Sequence, residues 1–233
     1  MMTGIAAHGG AFVPILVFGT VITVFLVSQI AKARAEQKRV MELRLLARRL
    51  GFDNFNPMRD EQFAVGWGFL NRLAQGSDRY AYNILRGSHR EEQLFVFDFH
   101  FQTGSGKSRQ EHNCTLLMIV CREVFPRLTI GPESLGVRIT AALGLGDAIK
   151  FESAEFSRQF CVRSPDKKFA YDVCNPQMID YLLKNPGLQM EIQGPALLLT
   201  FEPRLPAGKI EFNLQRLAQI RSFLPEYLFS QNA

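Results

Sequence analysis

Gln93-Leu94-Phe95-Val96-Phe97-Asp98-Phe99-His100-Phe101-Gln102 carries a phenylalanine at every second position from 95 to 101. Side chains of an extended strand alternate between its two faces, whereas a helix would spread the same rings around its circumference. The run therefore predicts a strand with one aromatic face and one face carrying Asp98, His100 and Gln102. Upstream, Arg79–Leu85 (RYAYNIL) predicts a partner strand across the Gly87-Ser88 turn region. Downstream, the polar segment TGSGKSRQE (103–111) leads into Asn113–Cys121 (NCTLLMIVC), a third strand.

Further out, 60–73 predicts a helix or a pair of helical turns, stopped at Gly76. RLTIGP (127–132) predicts a short strand before a Gly-rich stretch to Gly146, and FSRQFCVRS (156–164) another strand. Phe156, Phe160 and Val162, with Tyr171 and Val173, read as core positions of strands around the SPDKK turn. PQMIDYLLKN (176–185) predicts a helix, LQMEIQG and ALLLTFEP a hairpin around Gly194-Pro195, and 212–224 a final helix. Sequential hairpins with few helices predict an antiparallel sheet with helices on one face, an α+β domain over 51–233.

Twenty phenylalanines and 47% hydrophobic residues in 233 exclude a disordered chain. Four cysteines are too few for a disulfide scaffold of this length. Cys114, Cys121, Cys161 and Cys174 show no CxxC pair, as expected where thiols stay reduced. The pI of 9.2 is a local feature. Residues 32–50 hold seven cations (Lys32, Arg34, Lys38, Arg39, Arg44, Arg48, Arg49) against Glu36 and Glu42, leaving 20 charges of each sign beyond Gly51. A domain with no net charge gives no support to nucleic-acid binding, whose affinity comes mostly from phosphate contacts.

The 21 residues Ala11–Ala31 (AFVPILVFGTVITVFLVSQIA) contain no charged side chain. As a helix they extend about 31 Å, close to the ~30 Å hydrocarbon core of a bilayer. MMTGIAAHGG lacks the cations of a signal peptide's first region, and the run leads into a basic segment rather than a cleavage site. The expectation is a transmembrane helix over 11–31, a short non-cytosolic N-terminus over 1–10 and a basic juxtamembrane helix over 32–50. With all seven cations on the C-terminal side, the positive-inside rule puts the 51–233 domain in the cytosol. Val40, Leu43, Ala47 and Leu50 recur at helical spacing and Gly51 ends the pattern. The basic helix lies on anionic lipid or forms a stalk packed on the domain or on a second copy, and the stalk is favoured.

No strong catalytic signature is present. Thr103–Ser108 ends like a phosphate-binding loop, but Phe101 stands where its first glycine belongs and a strand follows where the motif needs a helix. His100, His112, Cys114 and Asp98 flank the same turn, and solvent-facing strand residues beside a buried Cys are favoured over a zinc site. Ser153 and Ser157, near Glu152 and Glu155, have no histidine in sequence reach. Trp67 between Gly66 and Gly68 reads as close packing or an exposed anchor, and Pro225–Phe229 as a tail docked on the domain or on a partner.

Phe151–Leu183 (FESAEFSRQFCVRSPDKKFAYDVCNPQMIDYLL), with LTIGPE before it and GSDRYAYNILRG and VFDFHF earlier, resembles a family of uncharacterised bacterial single-span membrane proteins. The resemblance covers most of 12–229. It implies one N-terminal span, a basic helix, a cytosolic domain and a bacterial inner-membrane location, and transfers no site residue. The function expected is non-enzymatic binding or scaffolding at the membrane, with lipid and a protein partner or second copy as partners. No cofactor, metal, nucleotide or nucleic acid is expected. The alternatives are a membrane-tethered, hydrolase-like enzyme with a site built from non-adjacent residues, and a subunit of a larger membrane complex.

Overall fold

The structure, a computed structural model, describes residues 12–90, 92–133 and 148–229, without the side chains of 12–21 and of residue 89. The chain forms two compact units, one up to Leu43 and one from Arg44 onward. Helix α1 (Phe12–Leu50) supplies the first unit and opens the second. The predicted N-terminus 1–10 lies outside the described residues, as do Ala11 and the side chains of 12–21 in the predicted span. Among the described residues no helix is long and apolar enough to cross a membrane. Those of the stretch that are described expose Val24 (69%), Phe25, Leu26, Val27 and Ile30.

The second unit is α+β. Its sheet is six-stranded and antiparallel: β1 (Asn54–Asn56), β2 (Ser77–His89), β3 (Glu92–Thr103) and β4 (Gln110–Pro132) follow in order, with β5 (Phe160–Arg163) and β6 (Gln189–Phe201) both paired to β4. The aromatic alternation sets this register. Phe95, Phe97, Phe99 and Phe101 stand opposite Met118, Leu116, Cys114 and His112 of β4. The rings are buried beneath α2 (Glu61–Gly66) and α3 (Asn71–Ala74), against Ala64, Leu70 and Leu73. Burying one such side chain contributes about 1.5–3 kcal/mol, so this face is a large source of stability.

The other face is not the solvated face the alternation predicts. Val96, Asp98, His100 and Gln102 are buried, as are Leu117, Ile119, Leu197 and Leu199. Helix α7 (Ala207–Phe223), longer than the predicted 212–224, directs buried Ile210, Leu217 and Ile220 inward and shares a groove with Leu94 and Ile119. Helices therefore cover both faces, which corrects the one-sided arrangement. A central strand buried on two faces tolerates polar residues only when they are hydrogen-bonded, and these are.

Several local predictions are corrected. Gly194-Pro195 is no hairpin: β6 runs through it, and Gly194 (φ +56°) stands opposite Phe125 at a register shift. The glycine meets the positive φ of a bulge, which reads like a turn in sequence. Asn113–Cys121 and 127–132 are one strand, β4. Finally, 156–164 begins as α4 (Ala154–Gln159), capped where Ser153 Oγ accepts from the Phe156 N–H, and only then becomes β5. The SPDKK segment likewise starts α5 (Lys167–Val173), with Asp166 Oδ1 accepting from Phe169 N–H. Tyr171 is thus a half-exposed helix residue, while Phe156, Phe160, Val162 and Val173 are core. Helix α6 (Pro176–Leu183) forms as predicted, capped by Asn175. The Gly-rich stretch to Gly146 lies largely outside the described residues.

Candidate functional site

Phe101 and His112 are a cross-strand pair, which stacks the imidazole on the ring at 4.6 Å. The stack aims both nitrogens of His112 at partners on the aromatic face. Nδ1 lies 2.9 Å from Glu202 Oε1, and Nε2 lies 2.8 Å from Thr103 Oγ1. Burial raises the Glu202 carboxyl, but hydrogen bonds from His112 and Arg72 outweigh it and hold the group below its ordinary value. Arg72 bonds Glu202 Oε2 and Gln75 and lies 5.2 Å over Phe101. An ionised Glu202 accepts only, so Nδ1 donates to it and Nε2 accepts from the threonine hydroxyl. Hydroxyl, imidazole and carboxylate thus stand in the order of a nucleophile, its base and the base's orienting group. None of the three cavities described below borders them.

The residues grouped by sequence around this turn separate. Cys114 shares the face of His112, but burial pushes its thiol up to about 11, despite Arg72, and Sγ donates to the Phe99 carbonyl. Asp98 and His100 lie on the opposite face. Among the described residues no three His, Cys, Asp or Glu side chains are placed to hold a metal ion. Asp98 instead accepts from Asn83 Nδ2 (3.0 Å) and Thr115 Oγ1 (2.8 Å), with Arg204 at 3.7 Å. The network continues through Tyr82 and Asn113 to His100, which stacks on Tyr80. Nothing in the one-dimensional pattern predicts this clasp, because Asn83 reaches Asp98 through a β2 bulge where its φ is +52°.

The Thr103–Ser108 loop closes a β-hairpin, with a short 3₁₀ turn (Gly106–Ser108) held by reciprocal Ser105–Ser108 hydrogen bonds. β4 follows directly, so no helix N-terminus faces the loop. Ser153 caps α4 and Ser157 Oγ donates to the Phe151 carbonyl. Trp67 packs 6.1 Å from Phe95 and 5.8 Å from Phe69. The tail docks on its own domain, Phe229 lying edge-on to Phe125 at 5.3 Å with Arg221 3.5 Å over its ring. All four cysteines are free and buried.

The seven basic residues all lie on α1, and they are not one cluster in structure. Lys32, Arg34 and Arg48 are exposed. Lys38 pairs with Glu42 at 3.8 Å, and Arg39 is half-buried. In the second unit Arg49 bonds Glu211 at 2.6 Å and Arg44 lies 5.9 Å over Phe55. Ala47 of the helical stripe is buried, as is Leu46 beside it, and Gly51 (φ +69°) ends the helix.

Sequence reasoning did not anticipate an apolar groove of about 240 Å³ lined by Leu50, Phe52, Leu94, Ile119, Leu214 and Ala218. A cavity of about 140 Å³ adjoins it at Ala218, and a polar one of about 230 Å³ lies beside Phe125 and Asp166.

No protein-family model and no curated protein matches the chain. A likeness in fold is found among solved structures. The mycobacterial trehalose monomycolate transport factor A aligns with a TM-score of 0.61 over 82% of this chain and 95% of that one. At 14% identity the likeness is one of fold.

Proposed function

We propose that this protein is a membrane-tethered, non-enzymatic binding or scaffolding protein, its α+β domain on the cytosolic side of a bacterial inner membrane and its N-terminus outside. The observation that carries the reading is the run Val24–Val27 with Ile30, apolar side chains 52–69% exposed on a helix. Such a surface is costly in water and at ease in hydrocarbon. The uncharged run before it and the seven cations after it support the same placement. The fold shared with a protein named a trehalose monomycolate transport factor agrees with work at a membrane. The partners are membrane lipid and either another protein or a second copy of this chain; nucleotide and nucleic acid are not among them. Reporters fused to the C-terminus of the full-length chain test orientation. They read cytosolic in the native chain and scrambled when all seven cations become Gln; a native C-terminus outside, or orientation unchanged by the substitutions, refutes the charge argument.

A second reading, a tethered hydrolase, is favoured by the Thr103–His112–Glu202 chain alone. Hydrolysis of p-nitrophenyl acetate by the full-length protein tests it. On this reading Thr103→Val and His112→Ala each abolish turnover, and wild-type turnover no faster than buffer removes it.

A further inference from the structure

We propose that the groove between α7 and the β2–β3 hairpin binds a long-chain fatty acid, the hydrocarbon on its apolar walls and the carboxylate at Arg90. The inference rests on the membrane reading and names a ligand for it. The groove floor is Leu94 and Ile119, a cross-strand pair of β3 and β4. Leu214 and Ala218 form one wall from successive turns of α7, and Leu50 and Phe52 the other. The Phe52 ring reaches this position because residue 87 is glycine, where a Cβ would stand 2.8 Å from Phe52 Cδ1. At about 240 Å³ the space falls below the ~300–1,000 Å³ of sites for drug-sized molecules. It suits one slender chain rather than a ring system or a pair of chains.

The charges are arranged for one end of such a molecule. Glu211, which borders the apolar section, is neutralised by Arg49 at 2.6 Å. Ala218 also lines the smaller cavity, which is bordered by Arg90, Glu92, Arg221 and Ser222. Glu92 Oε1 accepts from both Nε and Nη2 of Arg221, at 2.9 and 2.6 Å. Arg90 is exposed and makes no ion pair among the described residues. The mostly apolar groove thus has a guanidinium in the cavity next to it, and the guanidinium fork matches a carboxylate. A peptide is a poor occupant, because Ser88, Glu211 and Gln215 are too few polar side chains along the groove to partner the backbone N–H and C=O groups of an extended segment.

The test uses full-length protein in phosphatidylcholine nanodiscs, photolabelled with a diazirine-bearing palmitic acid and mapped by peptide mass. Adducts are expected on the peptides holding Leu50–Phe52 and Leu214–Ala218. Unlabelled palmitate should compete and its methyl ester should not. Ala218→Trp, which fills the channel, should cut labelling about tenfold. Arg90→Glu, at an exposed position that leaves the core intact, should cut it several-fold. Labelling confined to the apolar part of α1, labelling unchanged in either variant, or equal competition by the methyl ester overturns the proposal. Failure of the protein to enter the discs refutes the membrane tether, whereas entry without groove adducts refutes the fatty-acid site alone.

Discussion

Glu191 places a buried carboxyl at the start of α3, and its replacement by glutamine gives a prediction that can be worked through. It lies on β6 opposite Thr129 and is 6% exposed. Its Oε1 accepts from the Asn71 N–H at 2.6 Å and its Oε2 from the Arg72 N–H at 3.2 Å. These are free donors of the first turn of α3, whose own N-cap, Leu70, offers no side-chain acceptor. Burial pushes the carboxyl from 4.5 to about 7, outweighing the two backbone N–H groups and the nearby Arg127 and Arg72. The native state therefore holds a proton that the unfolded chain has lost between those pH values. The contribution to stability is fully present below pH 4.5 and is lost as pH rises to about 7. A shift from 4.5 to about 7, at about 1.36 kcal/mol per pH unit, amounts to about 3 kcal/mol. Glu191→Gln cannot ionise and removes this slope. Guanidinium unfolding at pH 4.5 to 8, followed by the fluorescence of Trp67, the single tryptophan, measures it. The stability difference between wild type and Glu191→Gln should move by about 3 kcal/mol across that range, in favour of wild type at the acid end. Parallel curves would refute the argument.

The other predictions concern the sheet and its turns. Asp98→Ala strands Asn83 and Thr115 and leaves Arg204 without its buried counter-charge; thermal unfolding should show a loss of about 3–5 kcal/mol. Gly76→Ala should cost about 3 kcal/mol or more, since φ is +65° there and the new Cβ would stand 2.1 Å from the Gln102 carbonyl oxygen. Lys107→Ala, in a loop that feeds a strand, should leave both the melting temperature and any ATP-dependent shift in it unchanged. Loss of an ATP-induced shift would restore phosphate binding at that loop.

What was legible in the sequence was the local and periodic part. The alternation from Phe95 to Phe101 gives the strand and its aromatic face, and the Thr103–Ser108 composition gives the hairpin turn. Asn175-Pro176 marks the start of α6 and Gly51 the end of α1. What escaped depends on partners distant in sequence. Asp98 and His100 look like a solvated face, because nothing near them announces that Asn83 and Arg204 partner Asp98 and that Asn113 partners His100. Ser153 and Asp166 are helix caps in segments whose apolar residues also fit strands, and the caps prevailed. Gly194 reads as a turn because a bulge and a hairpin require the same positive φ. The hydroxyl–imidazole–carboxylate chain joins β3, β4 and residue 202, at the end of β6, so no spacing rule finds it. The groove is lined from α1, β2, β3, β4 and α7, elements distant in sequence whose contributions are mostly ordinary apolar residues.

The two candidate sites cannot serve one reaction. Leu94, on the groove floor, and Thr103 lie nine residues apart on β3, a distance of about 30 Å at ~3.3 Å per residue. Their side chains also point to opposite faces, since the separation is odd. A chain seated along Leu94 and Ile119 with its carboxylate at Arg90 has its polar end at the β2–β3 turn, away from the hairpin that carries Thr103. The groove therefore cannot hold the substrate of a hydrolase centred on Thr103, and each reading stands or falls alone. Ala218→Trp should leave ester hydrolysis at the wild-type rate while reducing fatty-acid labelling. Thr103→Val should leave labelling intact whatever it does to hydrolysis. A single substitution that removes both would show that the sheet does not separate the two ends, and the register of β3 against β4 would then have to be wrong.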